Sequence, residues 1–223
     1  MGRMVKIGPV SGYLGRPSGE GPWPTVIVIH EWYGLTNHIE SIVDRFAGLH
    51  YFAFAPDLYH GEMALPGDSE KAGTLAKKYG PNAIEDLKAA FDTLKTHPDC
   101  SGKVGSVGFC FGGRMSLALG INRPLDAVCT FYGGGMQQLF GELGGLKSPV
   151  LGLYGDKDQS IPVGTIEEFD KLLDKIGVEH EVIVYPNSGH AFFSDRRQER
   201  SQSRCFALRF GGRRISGRNL GPQ

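Results

Sequence analysis

Long apolar runs are missing from this sequence, and so is net charge. No stretch is long or apolar enough to cross a bilayer, so no membrane partner is expected. The first 12 residues lack the apolar centre of a signal peptide, which makes a cytoplasmic location the expectation. Lysine plus arginine number 24 and aspartate plus glutamate also 24, a formal net charge of zero. Nothing global therefore attracts nucleic acid or an anionic surface, and no nucleic-acid partner is expected. Cysteine is scarce too. Cys100, Cys110, Cys129 and Cys205 form no C-x-x-C pair, which argues against a redox motif or a zinc site. Without a secretory leader, disulfides are not expected either.

What is present is the composition of a soluble globular protein, 40% hydrophobic and 22% charged in 223 residues. That length suits one domain with a real core. Residues 25–29 (TVIVI) form a β-branched run that reads as a buried strand of the parallel kind, apolar on both faces. Residues 30–34 follow as a loop. Thr36 can cap a helix to about Leu49, with Ile39, Ile42, Val43 and Phe46 on one face. Residues 51–55 give the next strand. Pro81 opens a helix carrying Ile84, Leu87, Phe91 and Leu94 at a period near 3.6, ending before Pro98. Further strands are expected at 103–107, 127–131, 150–154 and 181–185, with helices at 114–119 and 166–176. Strands alternating with helices predict an α/β fold, a mostly parallel central sheet with helices on both faces.

Residues 1–193 therefore read as one domain. Residues 194–223 break the pattern: they hold 8 of the 13 arginines and no lysine, with Asp195 and Glu199 as the acids. Such a tail reads as basic and disordered, or as the product of a shifted frame or alternative exon.

Four pieces that can carry chemistry each follow a predicted strand, where open α/β sheets place their sites. Gly108-Phe109-Cys110-Phe111-Gly112-Gly113 is a nucleophile-elbow pattern, G-x-S-x-G, with cysteine replacing serine. The thiol would project at a helix N-terminus, where the dipole favours negative charge. Asn187-Ser188-Gly189-His190 follows the last strand, and nucleophile, acid, histidine is the chain order of such hydrolases. His190 is the expected base. Between them, Asp156 and Asp158 compete as the acid that orients it, with Asp158 favoured and Asp156 left to cap the turn. Finally, His30-Glu31-Trp32-Tyr33-Gly34 follows residues 25–29. The loop there and the residue after the nucleophile supply oxyanion-hole amides, here Trp32 and Phe111. Cys129 reads as core and Cys100 as a surface turn residue. Trp23 reads as packing on the approach to the first core strand.

Together these pieces, with Pro56-Asp57-Leu58-Tyr59 and Phe131-Tyr132-Gly133, resemble the dienelactone hydrolase (carboxymethylenebutenolidase) family from about Val26 to Phe193. The resemblance implies the α/β-hydrolase fold. It also implies a cysteine hydrolase of lactones or activated esters, with Cys110, His190 and Asp158 as triad and a thioester acyl-enzyme. It further implies that Glu31 contacts the resting thiol and helps deprotonate it, and it implies no metal and no cofactor. The partner is a small-molecule lactone or ester, and the chain a monomer or weak homodimer. Family substrates carry a carboxylate held by arginines. Four residues after the histidine, where the enzyme acting on dienelactone has arginine, this chain has Ser194. The nearest arginines are Arg196 and Arg197, and residues 61–80 offer only Lys71, Lys77 and Lys78. The family's last helix is not recognisable after Phe193. Two alternatives stay open: a small-ester or thioester hydrolase of the same fold, and a catalytically silent binding module.

Overall fold

The computed structural model describes residues 2–194. The tail readings for 195–223, and with them Arg196, Arg197 and Cys205, lie outside the described residues. In chain order the strands are β1 (Arg3–Ile7), β2 (Val10–Gly15), β3 (Trp23–Ile29), β4 (Phe52–Pro56), β5 (Cys100–Phe109), β6 (Ala127–Phe131), β7 (Val150–Gly155) and β8 (His180–Tyr185). The α-helices are α1 (Asn37–Gly48), α2 (Ser69–Tyr79), α3 (Ala83–Lys95), α4 (Phe111–Asn122) and α5 (Val163–Ile176). Short 3₁₀ segments occupy Gly80–Asn82 and Met136–Gly145.

The strands form one sheet in the order β1-β2-β4-β3-β5-β6-β7-β8. From β4 to β8 all neighbours are parallel, while β1 and β2 join antiparallel at one edge. The mostly parallel sheet expected from the sequence is therefore present. Right-handed crossovers decide where the helices lie. The step β3→α1→β4 runs one way across the sheet and β4→α3→β5 runs the other, so α1 covers one face and α3, α4 and α5 the opposite one. The direction reverses at β3, and the crevice between β3 and β5 is a topological switch point, the place where such sheets bind ligands.

Burial explains the strand sequences. Val26 to Ile29 and Phe52 to Ala55 are sealed on both faces, so these strands read as runs rather than alternations. Helix α1 buries His38, Ile39, Ile42, Val43 and Phe46, a single stripe. Helix α4 is buried almost all round, from Phe111 to Gly120, with Arg114 an exception, because it is covered by α3 and the Met136–Gly145 segment as well as the sheet. It begins three residues earlier than the periodicity suggested, since two glycines in its first turn carry no apolar signal.

Several expectations need correction. Cys100 is buried, not a surface turn residue. Strand β5 starts there rather than at Lys103, and Cys100 pairs with Trp23 of β3. Trp23 accordingly lies within a strand, not on the approach to one. Thr36 occupies the N-cap of α1, but its side chain makes no capping bond. Strands β1 and β2, helix α2 and the 3₁₀ segment Met136–Gly145 have no counterpart in the sequence reading.

Among the described residues no helix follows β8, and the expectation about a last helix otherwise lies outside them; β8 is only partly buried along its length, with Val184 clearly exposed. Phe193 takes up part of the cover. Its ring stacks on Phe109 at 5.4 Å and lies 4.9 Å from Phe131, and the Arg45 guanidinium of α1 sits 5.8 Å above it. Phe193→Ala is expected to cost about 2 kcal/mol, roughly half the core value because the ring is only half buried. A thermal melt beside the wild type measures this; an unchanged midpoint would show that Phe193 covers nothing of consequence. Gly112→Ala is expected to be worse. A Cβ there would stand 2.2 Å from the Ile29 carbonyl oxygen and 2.5 Å from that of His30. Backbone has to move, so about 3 kcal/mol or failure to fold is the expected outcome of the same measurement.

Candidate active site

The strands β3, β5, β6 and β7 end at nearly one level, and their loops meet there. Register places Ile29 beside Gly108 and Phe109 beside Phe131. One residue past β5, Cys110 turns sharply into α4 with φ 53° and ψ −113°. Its N–H donates to the Phe131 carbonyl at 3.0 Å, and its own carbonyl accepts from Gly113 at 3.0 Å and Arg114 at 3.3 Å. The tight turn leaves no room for side chains around it: a Cβ on Gly108 would lie 1.9 Å from the Gly112 carbonyl oxygen. Cys110 is partly exposed, and as the N-cap residue it stands where the first amides of α4 have no intrahelical acceptor. Phe111, the first residue of the helix, carries one of those amides.

The β3 loop abuts the elbow, as the contacts at Gly112 require. His30, fully buried, holds this loop. Its Nδ1 lies 2.6 Å from the Glu31 carbonyl oxygen, and the Leu58 amide donates to its Nε2 at 3.3 Å. Nδ1 therefore carries the proton, and burial pushes the His30 pKa down, so the ring is neutral. Glu31 and Trp32 follow it, both partly buried, with Trp32 against Tyr33 at 5.5 Å. The β4 loop is shaped by Asp57, whose carboxylate accepts from the Tyr59 amide at 3.2 Å and the Gly61 amide at 2.6 Å. This turn buries Tyr59 edge-on to His30, with ring centroids 4.9 Å apart.

Asp158 and His190 come together from the loops after β7 and β8. These loops interlock at Gly155, where a Cβ would be 2.1 Å from the Ser188 carbonyl oxygen. Asp156 pins the junction by accepting from the Ser188 amide at 3.3 Å, and the Lys157 amide donates to the Ser188 carbonyl at 2.9 Å. Asp156 is thus occupied in holding the loop, and Asp158 is the one that reaches the histidine. Its Oδ2 lies 2.6 Å from His190 Nδ1. Its Oδ1 accepts from the Ser160 amide at 2.9 Å and the Ser160 hydroxyl at 2.6 Å. The same hydroxyl is 3.1 Å from His190 Nδ1. Tyr132, with φ 39°, meets the imidazole edge-on at 5.2 Å.

Electrostatics follow from these bonds. Burial alone would raise the Asp158 carboxyl, but the bonds from His190 and Ser160 outweigh it and hold it below the ordinary value. Burial alone would lower His190. Its hydrogen bonds with Asp158 and Cys110, and the charges on both, push it up to about 10 instead. The imidazole is therefore bonded to the carboxylate on one side and to the thiol on the other. Cys110, His190 and Asp158 are brought into one chain of contacts, with Phe111 adjoining and the Glu31–Trp32 loop against the elbow.

Ser160, His30, Tyr59 and Arg114 are site residues to which the sequence reading gave no role, although His30 and Tyr59 stand in motifs it quoted. Only His30 carried a signal, a polar residue closing a run of buried ones, which has to find partners. Elsewhere, Asp170, Asp174 and His180 bring possible metal-ligating atoms within 4.8 Å of one another. That group lies on α5 and at the start of β8, the opposite end of the sheet from Cys110. His180 Nε2 faces Asp170 at 3.3 Å, and this polar contact accounts for the cluster without a metal ion. Among the described residues no helix is long and apolar enough to cross a membrane.

The sequence model of the dienelactone hydrolase family matches residues 10–209. A protein of Methylorubrum extorquens named "Putative carboxymethylenebutenolidase" is 34% identical, covering 86% of this chain and 71% of its own. "Protein usf" of Aquifex pyrophilus is 35% identical over 89% of this chain and 90% of its own. The crystal structure of a dienelactone hydrolase-like promiscuous phosphotriesterase from metagenomic libraries superposes with a TM-score of 0.75. It is 30% identical, covering 86% of this chain and 84% of that one. The chain belongs to the dienelactone hydrolase family and is a hydrolase of the α/β-hydrolase fold.

Proposed function

We propose that this hydrolase opens lactones or cleaves activated esters through a thioester acyl-enzyme, with Cys110, His190 and Asp158 as its triad. The observation that carries the reading is the continuous contact from the Asp158 carboxylate through His190 to a thiol held at a strained elbow. The sulfur gives its proton to His190 before attack and, as the thiolate of that ion pair, attacks the carbonyl carbon. Glu31, on the adjoining loop, is a second proton acceptor. The amides of Trp32 and Phe111 receive the oxyanion. Collapse breaks the carbonyl–oxygen bond, and the His190 proton goes to the departing oxygen. Water, deprotonated by His190, then attacks the thioester, releasing the carboxylic acid and restoring the thiol. Asp158 keeps the imidazole oriented and stabilises its charged form throughout.

Leaving-group chemistry narrows the substrate. A thiolate departs more readily than an alkoxide, so the intermediate from a plain alkyl ester tends to revert. Enol-lactones, aryl esters and thioesters have departing groups that compete with sulfur. Hydrolysis of p-nitrophenyl acetate beside Cys110→Ala tests the reading. A loss of about 10³-fold or more is expected in the variant, with ethyl acetate a far poorer substrate. Activity that survives the substitution would exclude Cys110 as the nucleophile, and equal rates on the two acetates would sink the leaving-group argument.

The Asp158–His190 bond also predicts a pH-dependent stability. His190 is raised on folding, so its contribution is complete below the unfolded value of about 6.5 and fades as pH climbs through the folded value, about 10. Asp158 is lowered, so its contribution is present above about 3.9 and fades as pH falls through its folded value. The melting temperature gap between wild type and Asp158→Asn should be widest between about pH 4 and 6.5. It should narrow by pH 10. A gap that is constant with pH would mean the pair is not ionised in the folded protein.

A further inference from the structure

The hydroxyl of Ser160 is surplus to the loop that carries it. The turn after β7 closes without it: the Ser160 amide donates to Asp158 Oδ1 at 2.9 Å, and the Ile161 amide donates to the Asp158 carbonyl at 3.3 Å. Such an Asx turn forms with any residue but proline at position 160. The residue is exposed, so its side chain could turn to water at no cost. Instead the hydroxyl faces the site, 2.6 Å from Asp158 Oδ1 and 3.1 Å from His190 Nδ1.

The direction of each bond follows from its partner. An ionised carboxylate only accepts, so Ser160 donates to Oδ1, and the lone pairs of its oxygen are left to face the N–H of His190 Nδ1. That N–H is shared, with Asp158 Oδ2 at 2.6 Å and Ser160 Oγ at 3.1 Å. The buried carboxylate is thereby fixed at both oxygens, and the imidazole has two acceptors on that side instead of one.

In the resting site the ring is held from both sides, because the Cys110 thiol bonds to it opposite Asp158. Acylation removes that hold. Sulfur in a thioester carries neither proton nor charge, so it no longer attracts the imidazole. The hold passes to the Asp158–Ser160 side at the stage when more is asked of the base. His190 has given its proton to the departing oxygen and must take another from water, a far weaker acid than a thiol.

We propose that Ser160 is a positioning residue for the second half of the reaction: its hydroxyl keeps Asp158 and His190 aligned while Cys110 is acylated, so that Nε2 can deprotonate the attacking water. The water oxygen bonds to the acyl carbon, the carbon–sulfur bond breaks, and the proton on Nε2 returns to sulfur. Ser160 touches no reacting atom and acts through the imidazole. The role rests on the thioester reading given above.

The test follows p-nitrophenyl acetate hydrolysis by the wild type, Ser160→Ala and Ser160→Thr. For an acyl-enzyme, kcat/KM reports the steps up to acylation, whereas deacylation enters only kcat and KM. The second readout is the ratio of acetylated to free Cys110 at saturating substrate, measured by mass spectrometry after acid quench. Ser160→Ala should leave kcat/KM within about twofold and raise that ratio about threefold to tenfold, the range of one neutral hydrogen bond. Where the wild type is already almost fully acetylated, kcat and KM should fall together by the same factor. Ser160→Thr keeps the hydroxyl and should return both readouts towards the wild type. A merely structural role would disturb both halves alike, lowering kcat/KM as much as kcat and leaving the ratio unchanged. That result, or constants equal in all three proteins, overturns the proposal and leaves the triad standing. A wild type that turns over with no acetyl ever found on Cys110 refutes the thioester reading itself, and the role of Ser160 with it.

Discussion

Everything at the site depends on a backbone that one residue does not adopt willingly. Cys110 sits at φ 53° and ψ −113°, in a region that costs a side-chain-bearing residue about 1–3 kcal/mol. The surroundings over-determine it. Its N–H is taken by β6, its carbonyl receives two amides of α4, and the chain on either side is pressed against backbone at Gly108 and Gly112. Those contacts exist because β3, β5 and β6 are parallel, adjacent and in register. A shift of one residue in β5 would turn the thiol away from this face, and a shift in β3 or β6 would break the contacts that hold the elbow. The sheet and the elbow are thus one device: the long apolar strands provide the rigidity, and the strain is what lifts the sulfur clear of the surface.

Two histidines with opposite environments divide the work around that sulfur. His30 is sealed beneath the β3 loop, kept neutral by burial, and used as a bracket between Glu31 and Leu58. His190 is held between a buried carboxylate and the thiol, so its charged form is favoured despite burial. The difference lies in the partners rather than in depth. A carbonyl and an amide satisfy a neutral ring, whereas a carboxylate at 2.6 Å rewards a cationic one. The interlock at Gly155 and Ser188 is therefore electrostatic in consequence: it sets the distance on which the His190 charge depends.

Much of this was legible in the residues, and the limits were physical. The core strands announce themselves because both faces are buried, and Cys110, Asp158 and His190 stand out because each follows such a strand. Helix α2 was silent since it buries only Ala72 and Leu75, too narrow a stripe to register as periodic. Its one local signal was Asp68, whose carboxylate caps the Lys71 amide. Strands β1 and β2 are short, β1 at the edge of the sheet and β2 next to it, and the glycines at 12 and 15 break the alternation of β2. Gly12 is there because β4 passes too close for a side chain, a tertiary fact invisible to local pattern. Cys100 was misplaced for a related reason, since a Pro-Asp turn looks exposed until the strand after it is seen to begin at once. Ser160 gave no signal at all, because its role rests on side chains meeting across loops.

The raised pKa of His190 bears on why the elbow carries sulfur. A histidine that holds its proton at neutral pH is a poor acceptor for the proton of an alcohol, which does not ionise without strong help. It is a good partner for a nucleophile that ionises on its own and a ready proton donor to a departing oxygen. With a serine in place of Cys110 the same Asp158–His190 pair would have to give up its proton before each attack. In the proposed reaction the cysteine removes that requirement, and the demand moves to the other end of the bond. The departing group has to leave faster than the sulfur does. Thiol, raised histidine and activated ester are therefore one choice rather than three, and a lactone whose opening releases an enolate satisfies it.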